Sequence, residues 1–277
     1  MFTLALIQMK VQPARKNGNL EHAVDLIRRA KKGGADVVLL PEAMDLGWGY
    51  PCRPQEADII PYGRTCRVLS RAARREKIYI CSGIVEKDGD AVYNSAILID
   101  PSGRVVLSHR KINELDIAHD IYGTGNRLNV VKTPLATFGL MICADATAKD
   151  HVLTRSLCYM GADVILSPSA WAVPPDHDNA KDPYGSTWAE AYSPVAKEFS
   201  VWIAGCSCVG PVEYGDWKEW NCIGCSQVTG PDGREILKGP YGPDAEEILY
   251  AGIEPVPRPA TGTSWWSWWN NPGRSAP

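Results

Sequence analysis

The chain has 277 residues, 45% hydrophobic and 22% charged, with a net charge of −3 and a pI near 6.0. That length suits one large domain or two small ones and is ample for a sizeable core. The slight negative balance offers nothing to a nucleic acid or an anionic membrane surface. No apolar run approaches the roughly 18 residues that a membrane span needs.

Residues 2–9 form a nearly continuous apolar run, as expected of a strand covered on both faces. They lack the basic leader of a signal peptide. Nine cysteines, an odd number, argue against a disulfide framework and for a reducing, cytoplasmic setting. Asn17-Gly18-Asn19 offers a helix cap. Leu20, Ala23, Val24, Ile27 and Ala30 follow at helical spacing, and Gly33-Gly34 is the stop. Residues 35–40 read as a second buried strand, with Pro41-Glu42 at its exit.

Residues 43–62 have no clear period and read as a pocket-shaping loop carrying Trp48 and Tyr50. A helix over 64–75 and a strand over 78–85 follow. A meander then runs through 90–99, a turn at Asp100-Pro-Ser-Gly103, and 104–109 into Arg110-Lys111. After an irregular stretch over 113–126, the apolar run 140–142 delivers Cys143, with Ala144 and Asp145 behind it. Helix 151–159 and strand 161–167 come next, the latter leading into Pro168-Ser-Ala-Trp171. Helix 186–198 contains Pro194, which predicts a kink or a break. Strand 200–208, loop 211–221, a second meander over 222–237 and strand 246–253 complete the ordered part, 1–255. The tail, 256–277, carries four tryptophans, which reads either as an exposed contact patch or as a disordered segment.

Two echoes suggest two similar halves. Gly34-Ala-Asp-Val recurs as Gly161-Ala-Asp-Val, and each half has a meander turned on a proline–glycine turn. Each half would be a mixed sheet covered by helices on one side. Packed sheet to sheet, they make a four-layer α-β-β-α sandwich with one core, an α/β fold of two mixed sheets.

A lone cysteine at a strand end is either a buried thiol or a nucleophile whose following N–H groups face a developing negative charge. The order Leu39-Leu-Pro-Glu42, Arg110-Lys111-Ile112 and Gly139-Leu-Met-Ile-Cys143-Ala-Asp145 decides it. That order resembles the nitrilase superfamily of carbon–nitrogen hydrolases from residue 2 to about 255, and Ser167-Pro-Ser-Ala-Trp171 belongs to the likeness. The resemblance implies the same sandwich and a hydrolase of non-peptide carbon–nitrogen bonds. It casts Cys143 as nucleophile, Glu42 as general base and acid, and Lys111 with the Ala144 N–H as holders of the oxyanion. It requires no metal and no organic cofactor.

The family's second carboxylate falls at or near Asp120, with Glu114, very close to Lys111, as the alternative. The aromatic residue usual after the nucleophile is Ala144 here. Trp48, Tyr50 and Trp171 are the substrate-binding candidates for a small-molecule amide, carbamoyl compound or nitrile, ranked in that order. A catalytically silent binding or scaffold member is the competing class, disfavoured by the presence of all three residues. A homo-oligomer is expected, without nucleic-acid or membrane partners. Cys206-Ser-Cys208 and Cys222-x-x-Cys225 have the count for a zinc site, but strand placement makes them core thiols.

Overall fold

The computed structural model describes residues 1–259 and 262. Alternation along the first strand sets the layers. In β1 (Phe2–Gln8), Phe2, Leu4 and Leu6 pack into one core with Phe138, Leu140 and Leu166. Ala5 and Ile7 pack into another with Leu20, Ala23, Leu26 and Ile27 of the following helix. A strand covered on both faces is therefore apolar throughout.

The first half runs α1 (Lys16–Lys32), β2 (Val37–Leu39), α2 (Arg64–Glu76), β3 (Tyr79–Asp88), β4 (Ala91–Ile99) and β5 (Val105–Arg110). The second runs β6 (Val130–Lys132), β7 (Thr137–Leu140), α3 (Val152–Tyr159), β8 (Val164–Ser169), β9 (Ala172–Val173), α4 (Ser186–Phe199), β10 (Trp202–Ser207), β11 (Val209–Pro211), β12 (Asn221–Ile223), β13 (Gln227–Thr229), β14 (Glu235–Lys238) and β15 (Glu247–Ile253). One sheet has the order β15-β1-β2-β3-β4-β5, the other β14-β13-β10-β8-β7-β6, and β11-β12-β9 form a small third sheet. In each large sheet three central strands are parallel and their outer neighbours antiparallel.

The echoes of the sequence occupy equivalent places. Asp36 precedes β2 and accepts from the Thr3 N–H at 3.0 Å; Asp163 precedes β8 and accepts from the Thr137 N–H at 2.8 Å. Helices α1 and α2 cover the first sheet, α3 and α4 the second, giving the α-β-β-α sandwich expected.

Two local readings are corrected, and the expected core thiols are found in two separate cores. Helix α1 starts at Lys16 without a side-chain cap. Asn19 instead accepts from the Gln12 N–H at 3.0 Å and donates to the carbonyls of Gln12 and Asp45, pinning the loop after Glu42. Helix α4 is one helix through Pro194. Pro194 and Glu190 both lie on its exposed face, where the carbonyl that loses its partner is open to solvent. The paired cysteines do not share one environment: Cys206 packs in the core with Leu166 and Val228, Cys208 in the other with Trp48 and Val212. Among the described residues no group of three or more His, Cys, Asp or Glu is placed to hold a metal. No helix among them is long and apolar enough to cross a membrane. The tail tryptophans lie outside the described residues.

Gly83 on β3 is where the fold meets the site. A Cβ there would stand 2.5 Å from Glu42 Cα and 2.6 Å from the Pro41 carbonyl oxygen. The Gly83 N–H donates to that carbonyl at 3.0 Å, and the Met44 N–H donates to the Gly83 carbonyl at 3.1 Å. Gly83→Ala should therefore displace the Glu42 turn. A thermal melt should show a loss of about 1–3 kcal/mol from overpacking, and kcat should fall more than KM rises.

Candidate active site

Glu42 leaves β2 through a turn whose next residue, Ala43, has φ 45°, and the Glu42 N–H donates to the Ser169 carbonyl at 3.1 Å. Lys111 follows the last residue of β5. Its backbone is bracketed by the Asn94 carbonyl and the Gly125 N–H, each at 2.8 Å. Gly125 is needed there, because a Cβ would lie 2.0 Å from the Arg110 carbonyl oxygen. Cys143 opens a short 3-10 turn, Cys143–Thr147, and holds φ 44°, a left-handed backbone that a non-glycine residue adopts at a cost. Its N–H donates to Ser167 Oγ at 3.2 Å. Two sheets thus contribute: Glu42 and Lys111 from one, Cys143 from the other.

The ammonium of Lys111 donates to Glu42 Oε1 at 2.9 Å and to Glu114 Oε1 at 2.7 Å, with all three side chains about 1% exposed. Asn94 on β4 donates to Glu42 Oε1 at 2.6 Å and to Glu114 Oε2 at 3.0 Å. The carboxylate beside the lysine is therefore Glu114. Asp120 is exposed, beyond the short 3-10 turn Asp116–Ala118, and its assignment to the site is overturned. Glu114 reaches Lys111 because the chain turns back straight after β5. Asp145 Oδ1 accepts from the N–H groups of Ile112 at 3.0 Å and Asn113 at 2.8 Å.

The same Asp145 accepts from the Ile142 N–H at 2.9 Å and meets His109 Nε2 at 2.7 Å. Asn113 Nδ2 donates to the Ala144 carbonyl at 2.6 Å. The lysine strand and the nucleophile turn are thus tied at three points. Sequence reasoning missed Asn94, His109 and Asn113. An amide inside the otherwise largely buried strand β4 was the available signal for Asn94, whereas β5 is only partly buried and gave none for His109.

Burial opposes the charge on Lys111, but Glu42, Glu114 and Cys143 outweigh it and hold its pKa well above the ordinary value. Burial, reinforced by Glu114, raises Glu42, against the opposing pull of Lys111 and Asn94. Burial and the Glu42 charge raise the Cys143 thiol; Lys111 and the Ala170 N–H pull it down without cancelling them. The expected lowering by Lys111 is thus one contribution, and the net shift is upward. Among the described residues Glu42 Oε2 is buried with no hydrogen-bond partner, a free acceptor on a carboxylate whose charge reaches the Cys143 thiol.

Of the aromatic candidates, Trp171 directly follows Ala170, the residue whose N–H pulls on the Cys143 thiol. Its ring stacks on Trp188 at 4.6 Å over Gly205. Trp48 is buried against Trp217 at 5.2 Å. Tyr50 turns away, donating to Glu56 Oε1 at 2.8 Å and packing on Tyr214. Tyr122 was not among the candidates. The Tyr122 phenol lies within the fields of Glu114 and Glu42, the Tyr184 phenol within that of Cys143.

A positive-φ cysteine from one sheet and a buried lysine held between two glutamates from the other sit in an α-β-β-α frame. Residues 3–257 match the model of the carbon–nitrogen hydrolase family, and the chain belongs to that family. It is 30% identical to the omega-amidase NIT2 of Mus musculus over 267 residues, covering 91% of this chain and 88% of that one. It is 34% identical over 178 residues to a nitrilase of Pyrococcus abyssi, covering 63% and 67%. An amidase from Nesterenkonia sp. AN1, with acrylamide added at its active-site cysteine, superposes with a TM-score of 0.76 at 20% identity, over 92% and 94% of the chains. Nit3 of Saccharomyces cerevisiae gives 0.76 at 24% identity over 90% and 89%.

Proposed function

We propose that the chain hydrolyses small amides through a thioester on Cys143. The observation that carries this reading is Lys111 bridging Glu42 and Glu114 while Glu42 Oε2 stays unpaired. As the Cys143 sulfur attacks the amide carbon, its proton passes to Glu42. The oxyanion is held by Lys111 Nζ and the Ala144 N–H. Collapse breaks the carbon–nitrogen bond, and Glu42 returns the proton to the departing amine or ammonia. Water then attacks the thioester and gives a proton to Glu42. Collapse expels the thiolate, which recovers that proton, and the acid leaves. Glu114 and Asn94 fix the lysine and the base.

Ammonia release from matched amide, carbamoyl and nitrile substrates, with mass spectrometry of the stalled enzyme, tests this. An acyl adduct confined to Cys143 and fastest release from the amide are expected. Acylation elsewhere, or no release from any amide, would overturn it. Since Glu42 must be ionised to accept the thiol proton, and burial raises it, kcat/KM should fall as pH drops, with the acid limb above the ordinary glutamate value of 4.5. A pH–rate profile with a neutral substrate would locate that limb.

A further inference from the structure

The electrostatics around the site go further than the reaction class. Lys111 is the only Lys or Arg buried among the described residues, and two carboxylates already hold it. An incoming anion would find one committed cation facing two acids, with little water to screen the imbalance. The buried polar atoms left without partners nearby include the indole Nε1 groups of Trp171 and Trp48, donors that carry no charge.

The surroundings repeat this bias. Three loops leave the strand ends around the site: 43–62 directly after Glu42, 172–185 directly after Trp171, and 211–221, whose Trp217 packs on Trp48. Each carries three acids and one Lys or Arg. Two of those cations are spent within their own loops, Arg53 on Glu56 at 3.1 Å and Lys181 on Asp178 at 3.2 Å. Cations from other elements offset part of this, Lys16 pairing with Asp58 at 3.0 Å and Lys238 donating to the Tyr184 carbonyl at 2.8 Å, and the three loops together still keep an acidic excess.

We infer that this site selects amides bearing no negative charge and rejects those with a carboxylate on the acyl chain. The inference rests on the reading of Cys143, Glu42 and Lys111 as an amide-hydrolysing set and names the substrate class of that same site. Neutral indole donors and aromatic walls accept an apolar acyl chain. An ω-ammonium is tolerated, because the acidic loops favour it and the aromatic rings offer it their faces.

The test uses the full chain and three acyl chains of equal length: butanamide, its ω-amino derivative and succinamate. Initial rates of ammonia release give kcat/KM, and mass spectrometry records acylation of Cys143. Butanamide and the amino derivative should both exceed succinamate by on the order of 100-fold, the discrimination expected when a buried charge lacks a partner. Raising ionic strength should weaken the amino derivative and leave butanamide unchanged. If succinamate comes within about tenfold of butanamide, in a range one methylene alone can cover, the selection is refuted while the thioester reading stands. If no member of the panel releases ammonia or acylates Cys143, the parent reading fails and the selection with it.

Discussion

Cys143→Ala should reduce amide hydrolysis by at least about 10⁴-fold, to the level of background, because no other group in the site forms the thioester. The protein should fold nonetheless. Cys143 is buried at the start of a turn whose geometry is fixed by Asp145, through the Ile142 N–H, and by Ser167. Alanine keeps the Cβ and the same backbone hydrogen bonds. It inherits the φ of 44°, so the strain is unchanged and stability should shift by no more than about 1 kcal/mol. Circular dichroism and a thermal melt beside the ammonia assay would separate the two outcomes. Retained hydrolysis by a folded variant would sink the mechanism. The same variant should still bind amide without turning it over, since every proposed polar contact except the sulfur remains.

Lys111→Met should cost both activity and stability. Methionine fills nearly the same volume, so the effect is electrostatic. Without the ammonium, Glu42 and Glu114 remain buried on either side of Asn94 with no positive partner. Breaking a buried pair by removing one member costs about 3–5 kcal/mol. The loss should depend on pH. With the cation gone, the pull that opposes burial at Glu42 is lost, and its carboxyl in the folded state stands further above its unfolded value. The folded protein then holds protons that the unfolded chain releases, and stability falls as pH rises between the unfolded and folded pKa values. Denaturant titrations should therefore find the variant closest to wild type in mild acid and weakest above neutrality. Activity should fall by at least about 10²–10³-fold at every pH, because the oxyanion loses its strongest proposed donor. Equal destabilisation at all pH values would mean that the lysine supports the site by packing alone.

Much of this arrangement was legible in the sequence. Strand and helix periods located the main elements, and the repeated Gly-Ala-Asp-Val marked equivalent strands, each aspartate accepting from a threonine N–H on the neighbouring parallel strand. Glu42, Lys111 and Cys143 were legible because each stands where a strand ends. Glu114 was misjudged because its position depends on a turn made by Asp145, some thirty residues on in sequence. Local spacing makes a glutamate three residues after a lysine look like a neighbour too close to serve. The long-range hydrogen bonds fold it back onto the ammonium. The thiol's net shift was hidden for a similar reason: the cation was legible, but the burial and the second charge opposing it belong to the assembled core.

The first sheet contains a delay. Strand β1 pairs on one side with β2, which follows it closely, but on the other with β15, so that Phe2 lies opposite Ile253. While the chain leaves the ribosome, that flank of β1 must wait for nearly the whole remaining sequence to be made. A chain cut short before β15 would present a long apolar strand edge with no mate, an invitation to pair with other chains. Cys143 would already have been synthesised, yet the barrier to completing the molecule would still lie ahead. Premature termination near the end should therefore yield an insoluble product rather than a slower enzyme.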